Sequence, residues 1–126
     1  MKKLIFTLLI FMSCSAWAEW VLVAASTNDE VQSYIDPATI RREGTLLRYW
    51  KLTNLKVRDR NGYMSSRTRE ELDCKKERYR LTSITTFSES MLGGTINDSF
   101  NNPNSEWRDI APGTVMSFVM AYVCAK

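Results

Sequence analysis

The sequence contains no histidine. That removes Ser-His-Asp and Cys-His catalysis, histidine-ligated zinc and any imidazole pH switch. Cysteine is scarce, with three in the chain. After Cys14, only Cys74 and Cys124 remain, too few and too far apart for a thiolate metal site. No stretch is apolar for long enough to span a bilayer. Internal repeats, low-complexity tracts and linkers are missing as well. What remains reads as one domain with no metal and no cofactor.

The apolar residues that do cluster lie at the start. Lys2 and Lys3 precede the run Leu4 to Met12, broken only by Thr7, and Ala16-Trp17-Ala18 places small residues where a signal peptidase reads them. This is the pattern of a secretory signal peptide over residues 1–18, to be left out of fold reasoning. The mature domain is then 19–126. A lipid anchor at Cys14 is the alternative: Ser13 suits it, while Phe11 stands where such sites favour leucine. Export to an oxidising compartment makes the remaining pair, Cys74 and Cys124, a disulfide in expectation. The alternative is two free buried thiols. A closed loop of about 51 residues is worth roughly 4 kcal/mol in the chain-entropy picture, a large share of a small domain's net stability.

Residues 19–126 carry 15 basic and 14 acidic side chains. That balance does not suit a nucleic-acid binder. The charge is unevenly spread: residues 41–80 hold 13 bases against 6 acids, whereas 19–40 hold four acids and no base. Either folding interleaves these charges, or the central strands present a basic face to an acidic partner or an anionic surface.

Most segments read as strands. Trp20 to Ala25, Val31 to Asp36, Thr39 to Arg42, Thr45 to Asn54 and Arg78 to Phe87 are rich in β-branched and aromatic residues. In TLLRYWKLTN, Leu47 and Tyr49 point one way and Arg48, Trp50 and Leu52 the other. In RYRLTSITTF, Tyr79, Leu81, Thr85 and Phe87 are expected on one face. Tyr63 to Cys74 is polar on both faces. Its serines and threonine favour a strand over an exposed helix. Asn61-Gly62 and Gly93-Gly94 mark turns. Thr95 to Asp98 is expected as a short strand, Ser99 to Ser105 as a loop, and Trp107 packs back onto the domain. In the last segment Val115, Phe118, Val119, Tyr122 and Val123 share a helical stripe with Thr114 as a cap. A buried strand fits the same apolar run.

One order of residues has a familiar look: a strand opening at Trp20, then Tyr34-Ile35-Asp36, Ile40, Gly44, Tyr49-Trp50-Lys51-Leu52, Asp73-Cys74, Trp107, Pro112-Gly113-Thr114 and Val123-Cys124. This resembles the surface-adhesin protein E family of Gram-negative envelopes across essentially the whole mature chain. The resemblance implies an α+β fold: an antiparallel sheet of about six strands, with a C-terminal helix on one face tied by the disulfide. It implies a surface adhesin that binds host matrix and serum proteins such as vitronectin and laminin. Only Cys74 and Cys124 carry over residue by residue.

The function expected is therefore an exported, non-enzymatic binding module with a protein partner, in the periplasm or at the outer-membrane surface. The alternative is a periplasmic interaction protein serving the bacterium's own envelope, with a lysozyme-inhibitor-like role a remoter option. Candidate ligand-binding residues are Arg41, Arg42, Arg48, Trp50, Lys51, Lys56, Arg58 and Arg60, with Tyr49 and Tyr63 nearby, because arginine beside aromatics is the make-up of interface hot spots. The competing reading makes Trp50 core and the arginines a solvated edge that blocks strand addition. For catalysis only Glu70, Glu71 and Asp73 cluster, and Arg69, Lys75 and Lys76 stand ready to neutralise them. No catalytic residue is assigned.

Overall fold

The two strongest β patterns form the two longest strands, and a third strand lies between them. The computed structural model describes residues 18–126. Residues 1–17 of the expected leader, with Cys14 and the lipidation alternative, lie outside the described residues. In chain order the strands are β1 (Val21–Ala25), β2 (Val31–Ile35), β3 (Arg41–Glu43), β4 (Leu46–Leu55), β5 (Ser65–Asp73), β6 (Arg78–Phe87), β7 (Ile96–Asn101) and β8 (Arg108–Asp109), and the helix α1 is Val115–Cys124. All pairings are antiparallel. The main path β1-β2-β4-β5-β6-β7 has six strands, as the resemblance implies, with β3 and β8 as short additions. β2 and β3 share one edge of β4, and β7 and β8 share the outer edge of β6.

The polar segment before Cys74 is the central strand. β5 pairs with β4 from Leu46↔Asp73 to Asn54↔Ser65 and with β6 on its other side. Its polar side chains are therefore largely buried, Ser65, Ser66, Thr68, Glu70, Glu71 and Asp73 among them. The expected strand Thr39 to Arg42 is shifted to Arg41–Glu43, with Thr39 in a 3-10 turn, and two further strand expectations need correction. Thr85 and Phe87 do not share a face with Tyr79 and Leu81. The register shifts between Arg69 and Glu70, so β6 carries Thr82 as an extra residue, and alternation restarts on the opposite face beyond it. The expected loop 99–105 starts later, since β7 runs to Asn101.

The apolar core lies on one face of the sheet, where Ile35, Leu47, Tyr49 and Leu72 meet Val119 and Val123 of α1. Thr114 caps the helix, its hydroxyl accepting from the Ser117 amide at 3.3 Å. The inward stripe is rotated from the expected one: Phe118 is 55% exposed, whereas Met116 and Met120 pack on the core. Cys74 and Cys124 form the disulfide, with Cα atoms 6.0 Å apart. It fastens the last turn of α1 to the end of β5.

Candidate binding face

The two faces of the sheet have different chemistry. On the helix side, alternation in β4 carries Lys51 inward with Leu47 and Tyr49. There Lys51 Nζ lies 2.8 Å from Glu70 Oε2, and 3.3 Å from Met116 Sδ. Glu70 is fully buried and also accepts from the Tyr49 hydroxyl at 2.9 Å and the Thr68 hydroxyl at 3.0 Å. Burial, reinforced by the Glu70 carboxylate, pushes the Tyr49 hydroxyl well above its ordinary value of 10.0. Four polar groups thus satisfy one another beneath α1, as a buried charge requires.

The opposite face has arginine and tryptophan where a second core would sit. Arg48 and Trp50 of β4 stand opposite Glu71 and Arg69 of β5. Arg67 precedes them on β5, and Arg78 and Arg80 follow on β6. Glu71 is gripped from both sides, its Oε1 by Arg48 at 2.8 Å and its Oε2 by Arg80 at 2.8 Å. Burial alone would raise the Glu71 carboxyl. The hydrogen bonds and charges of Arg80 and Arg48 outweigh that and hold it below the ordinary 4.5. The arginines also stack on aromatics: Arg67 and Arg69 lie 5.4 and 5.8 Å from the Trp50 ring centre, and Arg78 and Arg80 lie 4.5 and 4.6 Å from that of Trp107. Arg67 also approaches Phe87, at 5.9 Å. Such contacts hold guanidinium planes in place while leaving N–H groups to donate.

The ends of this face are covered. The 3-10 turn Ser90–Leu92 lies over one end, its amides donating to Asn54 Oδ1 and Ser65 Oγ, both at 2.9 Å, which accounts for the burial of Leu52. Trp107 covers the other end. Between them Trp50 is the shared wall of two shallow depressions. One, of about 400 Å³, is lined by Arg48, Arg69, Glu71, Ser83 and Asn101. The other, of about 390 Å³, is lined by Trp20, Asp36, Thr39 and Arg67, with Ala18 at its margin.

The candidate residues taken from the sequence do not form one cluster. Arg41, Arg48 and Trp50 are brought together, Arg41 being opposite Arg48 in register. Arg42 pairs with Leu47 and so belongs to the helix-side row. Lys51 is buried in the network beneath α1. Lys56, Arg58 and Arg60 sit beyond the far end of β4, where Lys56 bonds the Asn28 carbonyl and Arg58 the Gly62 and Ser88 carbonyls. At about 3.3 Å per strand residue they lie roughly 20 Å or more from Arg48. Arg67, Arg69, Arg78, Arg80 and Trp107 were absent from the expected set. The alternation Ser65-Arg67-Arg69 was the available signal. Among the described residues no group of Cys, Asp and Glu is arranged to hold a metal ion, and no helix is long and apolar enough to cross a membrane.

Comparison with known proteins places this architecture. The family model described as surface-adhesin protein E matches residues 20–125. Similar solved structures include the selenomethionine form of Haemophilus influenzae protein E, at a TM-score of 0.61 and 13% identity over 87% of this chain and 88% of that one. A crystal form II of the same protein aligns at 0.57 and 15% identity over 82% of this chain and 87% of that one. Protein E from non-typeable Haemophilus influenzae aligns at 0.54 and 14% identity, covering 89% of this chain and 79% of that one. No curated protein matches.

Proposed function

This chain belongs to the surface-adhesin protein E family, and from that premise we propose that it is an exported, non-enzymatic binding module that engages host matrix or serum protein material at the cell surface. The observation that carries the reading is the face opposite α1. Indoles and guanidinium groups, the side chains most often found at binding hot spots, occupy there the sheet surface that a third layer would cover. Two of these arginines, Arg67 and Arg69, have no carboxylate partner among the described residues. The acids that would serve a hydrolase are committed elsewhere: Glu71 to Arg48 and Arg80, Glu70 to Lys51, and Asp73 to the Lys75 and Lys76 amides.

Binding to immobilised laminin- or vitronectin-type matrix tests the reading. The expected outcome is retention at low salt and release as ionic strength rises, and no retention even at low salt counts against it. The alternative, an interaction protein of the bacterium's own envelope, keeps the same face with a different partner. Fractionation separates the two: surface location predicts cleavage by protease added to intact cells, whereas release by osmotic shock favours the periplasm.

A further inference from the structure

We propose that the two depressions astride Trp50 are one binding site for an acidic polysaccharide, and that matrix engagement runs through such glycan chains; this rests on the binding-module reading above. Four observations converge on that chemistry.

First, charge is available there. Of the arginines that β4, β5 and β6 place on the face, Arg48 and Arg80 are engaged by Glu71 and Arg78 by Asp73. Arg67 and Arg69 make no ion pair and no side-chain hydrogen bond among the described residues, and Arg69 is exposed. Arg69 offers a full fork of N–H groups that suits a carboxylate or sulfate, and Arg67 its terminal N–H groups, its Nε being buried; stacking on Trp50 holds both near one point. Second, the walls are flat and aromatic. Trp20 and Trp50 border the same depression; Arg67 and Arg69 stack over Trp50, and the Trp20 indole, with no cation over it among the described residues, has its electron-rich face left to receive the C–H edge of a pyranose ring. Third, the rim is polar and uncommitted. Ser83 and Asn101 face each other across β6 and β7, line the depression of about 400 Å³ beside Arg48 and Arg69, and make no side-chain hydrogen bond among the described residues, so their hydroxyl and amide remain to meet sugar hydroxyls. Fourth, the shape is extended. Two shallow hollows meet at one indole, which suits several linked rings better than a single compact molecule. An acidic polypeptide would satisfy the arginines alike, but it would want a deep apolar socket for its anchoring side chains, and neither hollow offers one. Both Glu71 oxygens are held by arginines; Asp36, in the Trp20 hollow, accepts from the Ala38 amide at 3.1 Å and has no cationic partner among the described residues, so the anionic groups of the saccharide are met on the Arg69 side of Trp50.

The test compares heparin and hyaluronate fragments with neutral dextran and with polyglutamate at roughly 0.15 M salt, read by tryptophan emission and calorimetry on the full mature chain. Expected are binding of at least one acidic saccharide, none of dextran, and a preference of about tenfold or more over polyglutamate. Affinity falls at least about tenfold in Trp50→Ala and in the double variant R67Q/R69Q, the scale of a hot-spot loss. Lys126→Gln, at a residue that follows α1 on the opposite side of the sheet and lies over Tyr122, leaves it unchanged. Arg69→Gln alone, at an exposed position, keeps the test open should Trp50→Ala fail to fold. Equal affinity for polyglutamate, or binding indifferent to these substitutions, overturns the proposal. Retention on matrix that survives enzymatic removal of its acidic glycans sinks this inference while leaving the binding-module reading intact. Loss of matrix retention on that treatment supports both, and absence of binding to matrix and saccharide alike defeats both.

Discussion

At the scale of single residues, the pair Lys51–Glu70 decides more than any exposed contact. Both groups are buried, so removing one leaves the other as an uncompensated charge in a medium that solvates it poorly. Glu70→Ala is expected to cost about 3–5 kcal/mol, measured by urea unfolding, whereas replacing both partners together by Met and Gln recovers much of that loss. Glu71 acts differently, through pH. Its carboxyl is held below 4.5 in the folded state, so the unfolded chain takes up the proton first on acidification. The stabilisation is complete above 4.5 and disappears as pH drops through the depressed folded value. Unfolding midpoints followed from neutral pH into acid should fall across that window, and Glu71→Gln should be less stable at neutral pH and show a shallower fall. Tyr49 provides a third check. Spectrophotometric titration should find one phenol that resists ionisation well above 10.0 until the protein unfolds.

At the scale of elements, α1 depends on its tether. It buries Val119 and Val123 completely but leaves Phe118 in solvent, a narrow purchase for ten residues. Helices this short are marginal without tertiary support. Cys124→Ser, or reduction, should cost about 2–5 kcal/mol and speed amide exchange within 115–124 far more than within β4 or β5. Much of this architecture was legible in advance. TLLRYWKLTN and RYRLTSITTF declared themselves as strands, and the cysteine pair followed from export. What stayed hidden has physical reasons. An alternation pattern carries no mark of a bulge, so the extra Thr82 moved Thr85 and Phe87 to the other face unseen. The stripe of α1 was misplaced because nearly every residue there is apolar, and a rotation by one position fits as well. Residue type alone puts Lys51 on the surface, although alternation in TLLRYWKLTN gives it the row of Leu47 and Tyr49; its partner Glu70 is a neighbour only once β4 and β5 are in register. The same lack of register hid Arg67, Arg69 and Arg80: the first two lie in a segment polar on both faces, and Arg80 joins them only once β5 and β6 are paired.

At the scale of the whole molecule, the uneven charge along the chain survives folding. Five ion pairs, those of Arg48 with Glu43 and Glu71, Lys51 with Glu70, Arg78 with Asp73 and Arg80 with Glu71, lie inside the basic stretch 41–80, and Arg58–Glu89 alone among the described pairs reaches a flank, that of residues 81–126 with its four acids and two bases. The flanks therefore do little to neutralise the central excess. Stability and recognition should then respond differently to salt. Exposed pairs contribute little to folding, whereas attraction between a basic face and a polyanion is strongly screened. Raising ionic strength from roughly 0.05 to 0.5 M is expected to shift the melting temperature by only a few degrees while weakening polyanion binding by about tenfold or more. Calorimetry in the two buffers checks both halves.

The placement of the indoles has an optical consequence. Trp20, Trp50 and Trp107 all border the arginine-bearing face, and among the described residues the apolar core contains no tryptophan. The intrinsic fluorophores of the domain thus sit where a bound molecule would rest. Emission colour and quenching should follow occupancy of that surface more closely than they follow global denaturation, so the unlabelled protein works as its own dye for titrations.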